Sequence, residues 1–186
     1  MLLSVEHATK WQLESGLDLI RASPPDAGTV ELIARRPREG TRDVVEEATI
    51  DVDVGVVGDN WSTRPNRHTS DGGPDPLAQI TLMNARAVAL FARAAERWPL
   101  AGDQLYVDFD LSETNVPAGT RLAIGTAVIE VTEEPHNGCA KFRHRFGEDA
   151  LRFVNSPIGK SLHLRGINTK VVQSGVVRRG DPVRKL

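Results

Sequence analysis

The chain has 186 residues, of which 40% are hydrophobic and 26% charged, with a formal net charge of −2. That is ordinary for a globular chain and long enough for one domain that buries roughly 70% of its unfolded surface. No apolar run approaches the ~20 residues of a membrane span, and the N-terminus lacks the basic-then-apolar order of a secretion signal. One cysteine in the whole sequence excludes an intrachain disulfide and suits a reducing cytoplasm, where the chain is expected. The charge is unevenly spread. Residues 1–135 hold 12 Lys/Arg against 22 Asp/Glu, whereas residues 136–186 hold 11 against 3. A basic segment of that kind suits either an anionic ligand or docking on an acidic body. The sequence pI near 6.2 and the lack of a reader motif speak against nucleic acid.

In chain order, Thr9 and Gln12 have capping-box spacing, and Leu13, Leu17 and Ile20 share a helical face that Pro24 and Pro25 close. Residues 1–27 are thus expected to form a helical extension packed on a domain of residues 28–186. Val30, Leu32 and Ala34 alternate with more polar neighbours, and Ile50, Val52 and Val54 alternate with Asp51 and Asp53, so both segments predict strands. Residues 55–76 carry four Gly and three Pro and predict a long loop, in which Arg64, Arg67 and His68 could meet an anion. A short strand at Gln79–Met83 precedes a helix capped by Asn84, with Val88, Phe91, Ala95 and Trp98 on one face and Pro99 as its stop. Strands follow at Leu105–Leu111 and over Arg121–Thr132, bent at Gly125. Phe142, Phe146, Ala150 and Phe153 give a helix after Cys139 one apolar stripe, which Gly147 weakens. Lys170–Gln173, Ser174-Gly175 and Val176–Arg179 read as a closing hairpin. Strands that do not alternate regularly with helices argue for a mixed, mainly β, barrel-like fold with about three helices, not a doubly wound sheet.

The chemistry concentrates at residues 130–146. A strand runs into a Pro135-His136-Asn137-Gly138 turn, and Cys139 stands where a helix begins. Lys141, Arg143 and Arg145 follow, with His136 and His144 on either side. Cations and a helix start both favour the thiolate, so Cys139 is expected to titrate below the ordinary ~8.5. The competing possibility is a buried, inert cysteine acting as a small hydrophobe. His136, three residues away, is the expected proton donor or acceptor, since imidazole titrates near neutral pH. His136, Cys139 and His144 could also offer three zinc ligands, but their spacing fits no common zinc pattern, and no tightly bound zinc is expected. Motifs for dinucleotides, P-loop nucleotides, serine hydrolases and zincins are all missing.

Taken in order, these segments resemble the MOSC family, a domain also found at the C-terminus of molybdenum-cofactor sulfurases. The matching residues are Gly58-Asp59, Gly102-Asp103-Gln104-Leu105, Asp110-Leu111-Ser112, residues 117–125 (PAGTRLAIG), Ile129-Glu130-Val131-Thr132, Cys139-Ala140-Lys141-Phe142, Arg165-Gly166, Gly175-Val176-Val177 and Gly180-Asp181. They span roughly residue 28 to the C-terminus. Where bacterial relatives carry a basic His-Gly-Gly-x-x-Lys-Ala pattern, this chain has residues 68–76 (HTSDGGPDP), with no lysine. The resemblance implies a β-barrel-like fold with one reactive cysteine, at the position of Cys139. That cysteine would carry sulfur as a persulfide received from a pyridoxal-phosphate-dependent desulfurase, or ligate molybdenum in a pterin cofactor that reduces N-hydroxylated compounds. Lys141 and Arg143, with Arg67 and His68, would then hold the anionic phosphate or sulfur species. The competing expectation is a non-catalytic module that binds an anion or cofactor and has a structural cysteine.

Overall fold

The computed structural model describes residues 6–66 and 69–186. Arg67 and His68, two of the expected anion contacts, lie outside the described residues. The strands are β1 (Ala27–Arg35), β2 (Asp43–Val45), β3 (Glu47–Asp51), β4 (Gly55–Val56), β5 (Ile80–Asn84), β6 (Leu105–Asp108), β7 (Arg121–Ile124), β8 (Ala127–Val131), β9 (Ile167–Gln173), β10 (Gly175–Arg178) and β11 (Pro182–Lys185). Seven of them close into a barrel in the order β11-β7-β8-β9-β5-β6-β1, because β11 pairs back onto β1. Closure leaves these seven strands without a free edge. β2 hangs on the outer end of β1, and β10, β3 and β4 form a separate three-stranded sheet.

The helices are α1 (Lys10–Ser15), α2 (Leu17–Arg21), α3 (Ala85–Ala92), α4 (Ala140–Phe146), α5 (Glu148–Asn155) and α6 (Pro157–Ser161). Among the described residues, six short helices therefore stand where about three were expected. The capping box at Thr9 forms as its spacing predicts, but the first helix breaks at Gly16. A Cβ at Gly16 would lie 2.5 Å from the Leu90 side chain, so α1 and α2 turn where they meet α3. The helix capped by Asn84 ends at Ala92, where Arg93 adopts φ +64, and a 3-10 turn (Ala95–Ala101) carries the chain to β6. The helix after Cys139 divides into α4 and α5 at Gly147, whose φ of +93 an L side chain rarely adopts.

Two apolar cores result. Inward residues of the barrel, among them Val30, Leu82, Phe109, Leu122 and Ile129, form the first, and Ile50 of β3 and Val177 of β10 extend it to the small sheet. Leu13, Met83, Phe91, Phe142, Phe146 and Phe153 form the second, between the barrel wall and the helices. β5 is buried along its whole length because each of its faces meets one core. It is also the strand that pairs in parallel, with β6, since α3 returns the chain over the sheet between them.

Three strand assignments change. β3 ends at Asp51, so Val52 and Val54 are exposed turn residues despite their alternation. It also belongs to the small sheet rather than to the barrel. The closing hairpin does not form: β9 pairs with β8 and β5, whereas β10 pairs with β3. Thr126, in the β7–β8 turn, grips Val176 through Thr126 N–H to Val176 O at 3.0 Å and Val176 N–H to Thr126 Oγ1 at 2.8 Å. That grip leads the chain across to the second sheet.

The charge asymmetry resolves as docking. Lys141–Glu39, Arg165–Asp103, Lys170–Glu130, Arg178–Glu47, Arg179–Glu46 and Lys185–Asp26 each join a cation of residues 136–186 to an acid of residues 1–135. Most of the surplus thus meets the acidic body.

Candidate functional site

Cys139 is the N-cap of α4, in an extended conformation, and is exposed. The residue before it is clamped: Gly138 N–H donates to Asn155 Oδ1 at 2.9 Å and Asn155 Nδ2 donates to Gly138 O at 3.1 Å. Phe142, one turn on, is buried edge-to-face against Phe91 at 5.1 Å and fixes the other end of the turn. The sulfur makes no regular side-chain hydrogen bond at the helix start. Its partial burial would push the thiol up, and the N–H groups of Phe142 and Lys141 push it down. With the guanidiniums of Arg165 and Arg145 they hold the Cys139 pKa below its ordinary value.

Of the three cations that follow Cys139, Arg145 lowers its pKa, and Arg165 joins it. Lys141 Nζ lies 3.4 Å from Glu39 and Arg143 Nη1 3.9 Å from Glu148, with both side chains more than half exposed. Their acidic neighbours account for them without a ligand. Arg165 and Arg145 act in their place. Arg165 lies three helices further along the chain, on the approach to β9, and is held there by its neighbour. Gly166 has φ +97, and a Cβ on it would sit 2.3 Å from Leu82 O, so the chain can pass under β5 only with glycine here. Arg165 then donates from Nη1 to Asp103 at 2.8 Å and lies over the Phe142 ring at 5.3 Å.

Arginines converge on one piece of backbone. Five consecutive carbonyls each accept a side-chain hydrogen bond: Trp98 from Tyr106, Pro99 from Arg42, Leu100 from Arg145, Ala101 from Arg165 and Gly102 from Arg36, at 2.7–3.2 Å. The last carbonyls of a helical turn carry partial negative charge, which attracts cations. The four guanidiniums are thereby packed side by side with two buried carboxylates, Asp59 on Arg36 and Asp103 on Arg165. Burial, then Arg145 and Arg36, lower the Arg42 pKa, and burial, then Arg36, lower that of Arg64. Arg42 Nη2 and Arg145 Nη2 have no hydrogen-bond partner among the described residues. Of these arginines, Arg145 and Arg64 are visible in the sequence as cations, whereas Arg36 and Arg42 are not, because their segments are distant and only the fold assembles them.

His136 sits beside the same cluster, with Nδ1 3.6 Å from Asp103 Oδ1 and a side chain only 17% exposed. Burial, aided by Arg165 and opposed by Asp103, pushes its pKa from 6.5 down to about 3. It is therefore a neutral imidazole at pH 7, not a group titrating there. The sign of the linkage is definite: an unfolded chain takes up a proton at His136 below pH 6.5, and the folded chain does not until about pH 3. Stability is lost as pH falls through that window. Between pH 6.5 and 4.5 the loss from His136 is expected to be about 2–3 kcal/mol. Denaturant titrations of the wild type and H136Q across this range check it; parallel pH profiles would contradict it.

The chain forms a cleft of about 570 Å³ between residues 131–137 and 159–168, with His136, His163 and Arg165 in its wall; Cys139 is not one of its lining residues. Lys141 and Arg143 are not part of that wall. Among the described residues, no group of three or more His, Cys, Asp or Glu converges as a metal cage. Among the described residues, no helix is long and apolar enough to cross a membrane.

The family model of the MOSC domain matches residues 72–184. The chain belongs to the MOSC domain family. That family is tied to functions like those of molybdenum-cofactor sulfurases. Among solved structures, the YuaD protein from Bacillus subtilis superposes with a TM-score of 0.64 at 16% identity, over 84% of this chain and 94% of that one. YiiM from Escherichia coli gives 0.55 at 20% identity, over 85% and 69%. YiiM from Geobacillus stearothermophilus gives 0.52 at 16%, over 86% and 73%. These likenesses carry the fold. No curated protein matches the chain. The MOSC match starts at residue 72, yet β1 lies upstream and closes the barrel against β6 and β11, so the barrel extends beyond the matched segment.

Proposed function

We propose that this MOSC protein handles sulfur, or a molybdenum cofactor, through Cys139. The observation that carries this is an exposed cysteine, clamped at a helix start, whose thiolate is favoured by two backbone N–H groups and two arginines. An exposed position supports this reading over a cysteine packed as a small hydrophobe.

As a sulfur acceptor, the Cys139 thiolate attacks the outer sulfur of a donor persulfide. A new S–S bond forms at Cys139, the donor's S–S bond breaks, and the donor leaves as a thiolate, so charge and electrons balance. Arg165 and Arg145 stabilise the anionic terminal sulfur that Cys139 then bears. A pyridoxal-phosphate-dependent cysteine desulfurase is the class of partner that makes such a donor.

The residues also fit a molybdenum cofactor. Cys139 would be the chain's own metal ligand, a soft thiolate, with the remaining ligands coming from the pterin. The free N–H groups of Arg42 and Arg145, with Arg64, would hold its phosphate, in place of Lys141 and Arg143. Such a group, when bound, supplies two-electron redox chemistry to the site. The chain's part is to bind, to orient and to keep the sulfur anionic. His136 stays neutral at pH 7, with Nδ1 buried against Asp103, and so adds no resident charge to the site.

Titrating the rate of Cys139 alkylation against pH tests the reactive thiol. The midpoint is expected below the ordinary ~8.5. A midpoint at 9 or above would return Cys139 to a structural role.

A further inference from the structure

A side chain from a different helix grips the peptide in front of Cys139. Asn155, the last residue of α5, directs both of its polar atoms to Gly138. Its Oδ1 accepts from Gly138 N–H at 2.9 Å, and its Nδ2 donates to Gly138 O at 3.1 Å. Among the described residues, these are the only hydrogen bonds made by the backbone of residues 135–138. Before that stretch Glu134 O is held by Asn168, and after it Cys139 O accepts Arg143 N–H at 3.0 Å. Asn155 is thus the one hydrogen-bonding anchor of the backbone between them.

Gly138 is fitted to this grip. A Cβ on it would lie 2.9 Å from both Leu151 Cδ1 and Val154 Cγ2, and 3.3 Å from Asn155 Nδ2. Residues 151, 154 and 155 share one face of α5, so a side chain at 138 would have to push Leu151 and Val154 aside. The consequence reaches the sulfur. A peptide is planar, so holding Gly138 O fixes the plane that also contains Cys139 N and Cα. The bond from Arg143 holds the peptide on the far side of Cys139. With both planes held, at φ −123 and ψ −178, only χ1 remains to aim the sulfur. It then meets the N–H groups of Phe142 and Lys141 and the field of Arg165 and Arg145.

We infer that Asn155 is a positioning residue for Cys139: its amide holds the Gly138–Cys139 peptide and so sets the direction in which the sulfur leaves the backbone. This rests on the reading of Cys139 as the reacting group. Asparagine suits the task because one planar amide offers a donor and an acceptor side by side, matching the N–H and C=O of a single residue. Leucine, of similar shape, would keep the packing and offer neither. The grip would be lost, and the sulfur would sample directions away from the groups that favour its thiolate.

The rate of Cys139 alkylation is followed against pH in the wild type, N155L, G138A, the N155L/G138A double variant and L122A. N155L is expected to raise the titration midpoint by about 0.5 in pH or more, which lowers the thiolate fraction at pH 7 about threefold. G138A should raise it in the same direction, and the double variant no further than the larger single change, because both act at one seat. L122A opens a cavity in the barrel core and should unfold earlier, yet keep the wild-type midpoint. That control separates positioning from a general loss of stability. A wild-type midpoint of about 9 or above would count against the thiol reading itself. An N155L midpoint equal to the wild type's, whatever that value is, would overturn the positioning role, and so would an equal shift in L122A. Should N155L fail to fold, G138A carries the test, and an unchanged midpoint there overturns the inference.

Discussion

Asp103→Ala is expected to destabilise the protein by about 3–5 kcal/mol, since it strips the partner from a buried cation. Asp103 has no exposed side-chain surface and Arg165 only 10%. With Asp103 gone, the Arg165 guanidinium keeps its bond to Ala101 O but loses its counter-charge in a setting with little water. Because whole domains are stable by only about 5–15 kcal/mol, the variant should be visibly weakened. Asp103→Asn, which keeps an acceptor for Nη1, should lose less. A D103L/R165M double replacement should recover much of the loss, because it removes the pair together. Denaturant unfolding of the four proteins measures this. A loss under ~1 kcal/mol for Asp103→Ala would mean that water reaches the pair.

The second large effect concerns the arginines. Replacing Arg42 and Arg145 together by glutamine is expected to abolish measurable binding of inorganic phosphate. Charge-assisted hydrogen bonds contribute roughly 1.5–3 kcal/mol each, so two lost contacts mean at least about a hundredfold. Glutamine is chosen because its amide can still donate to the Pro99 and Leu100 carbonyls that these arginines hold. The K141Q/R143Q variant should bind phosphate as the wild type does, since those side chains pair outward with Glu39 and Glu148. Calorimetry on the three proteins distinguishes the two sets. The reverse ranking would return the anion site to the first turns of α4.

What the sequence disclosed is set by the range of the interactions concerned. Alternation over Leu105–Leu111 and Arg121–Thr132 marks strands, and β6, which ends at Asp108, with β7 and β8 stands there; β8 turns one face to the core, whereas both faces of β6 are buried. The helix start at Cys139 and the Thr9 and Asn84 caps are equally local and equally visible. Helix length was overestimated where a backbone break answers a distant neighbour. Gly16 yields to Leu90, and Gly147 lies where a Cβ would meet His7. β10 was misplaced for a similar reason, as Thr126 is fifty residues from Val176. At the site, Cys139 stood out as the lone cysteine among cations. Arg42 and Arg36 did not, and Arg165 and Asp103 entered only through the family resemblance, with no role attached. Their importance lies in sharing one run of carbonyls and two carboxylates, which closure of the barrel brings together. Lys141 and Arg143 drew notice by proximity in sequence, yet helical geometry turns them to the outer face.

The central claim, that Cys139 accepts sulfur as a thiolate, is tested most directly by intact mass. The reduced protein is incubated with a pyridoxal-phosphate-dependent cysteine desulfurase and free cysteine, then weighed before and after a thiol reductant. A gain of one sulfur atom that the reductant removes, and that C139S does not show, is the predicted result. An unchanged mass, with Cys139 still free to alkylate, would contradict it.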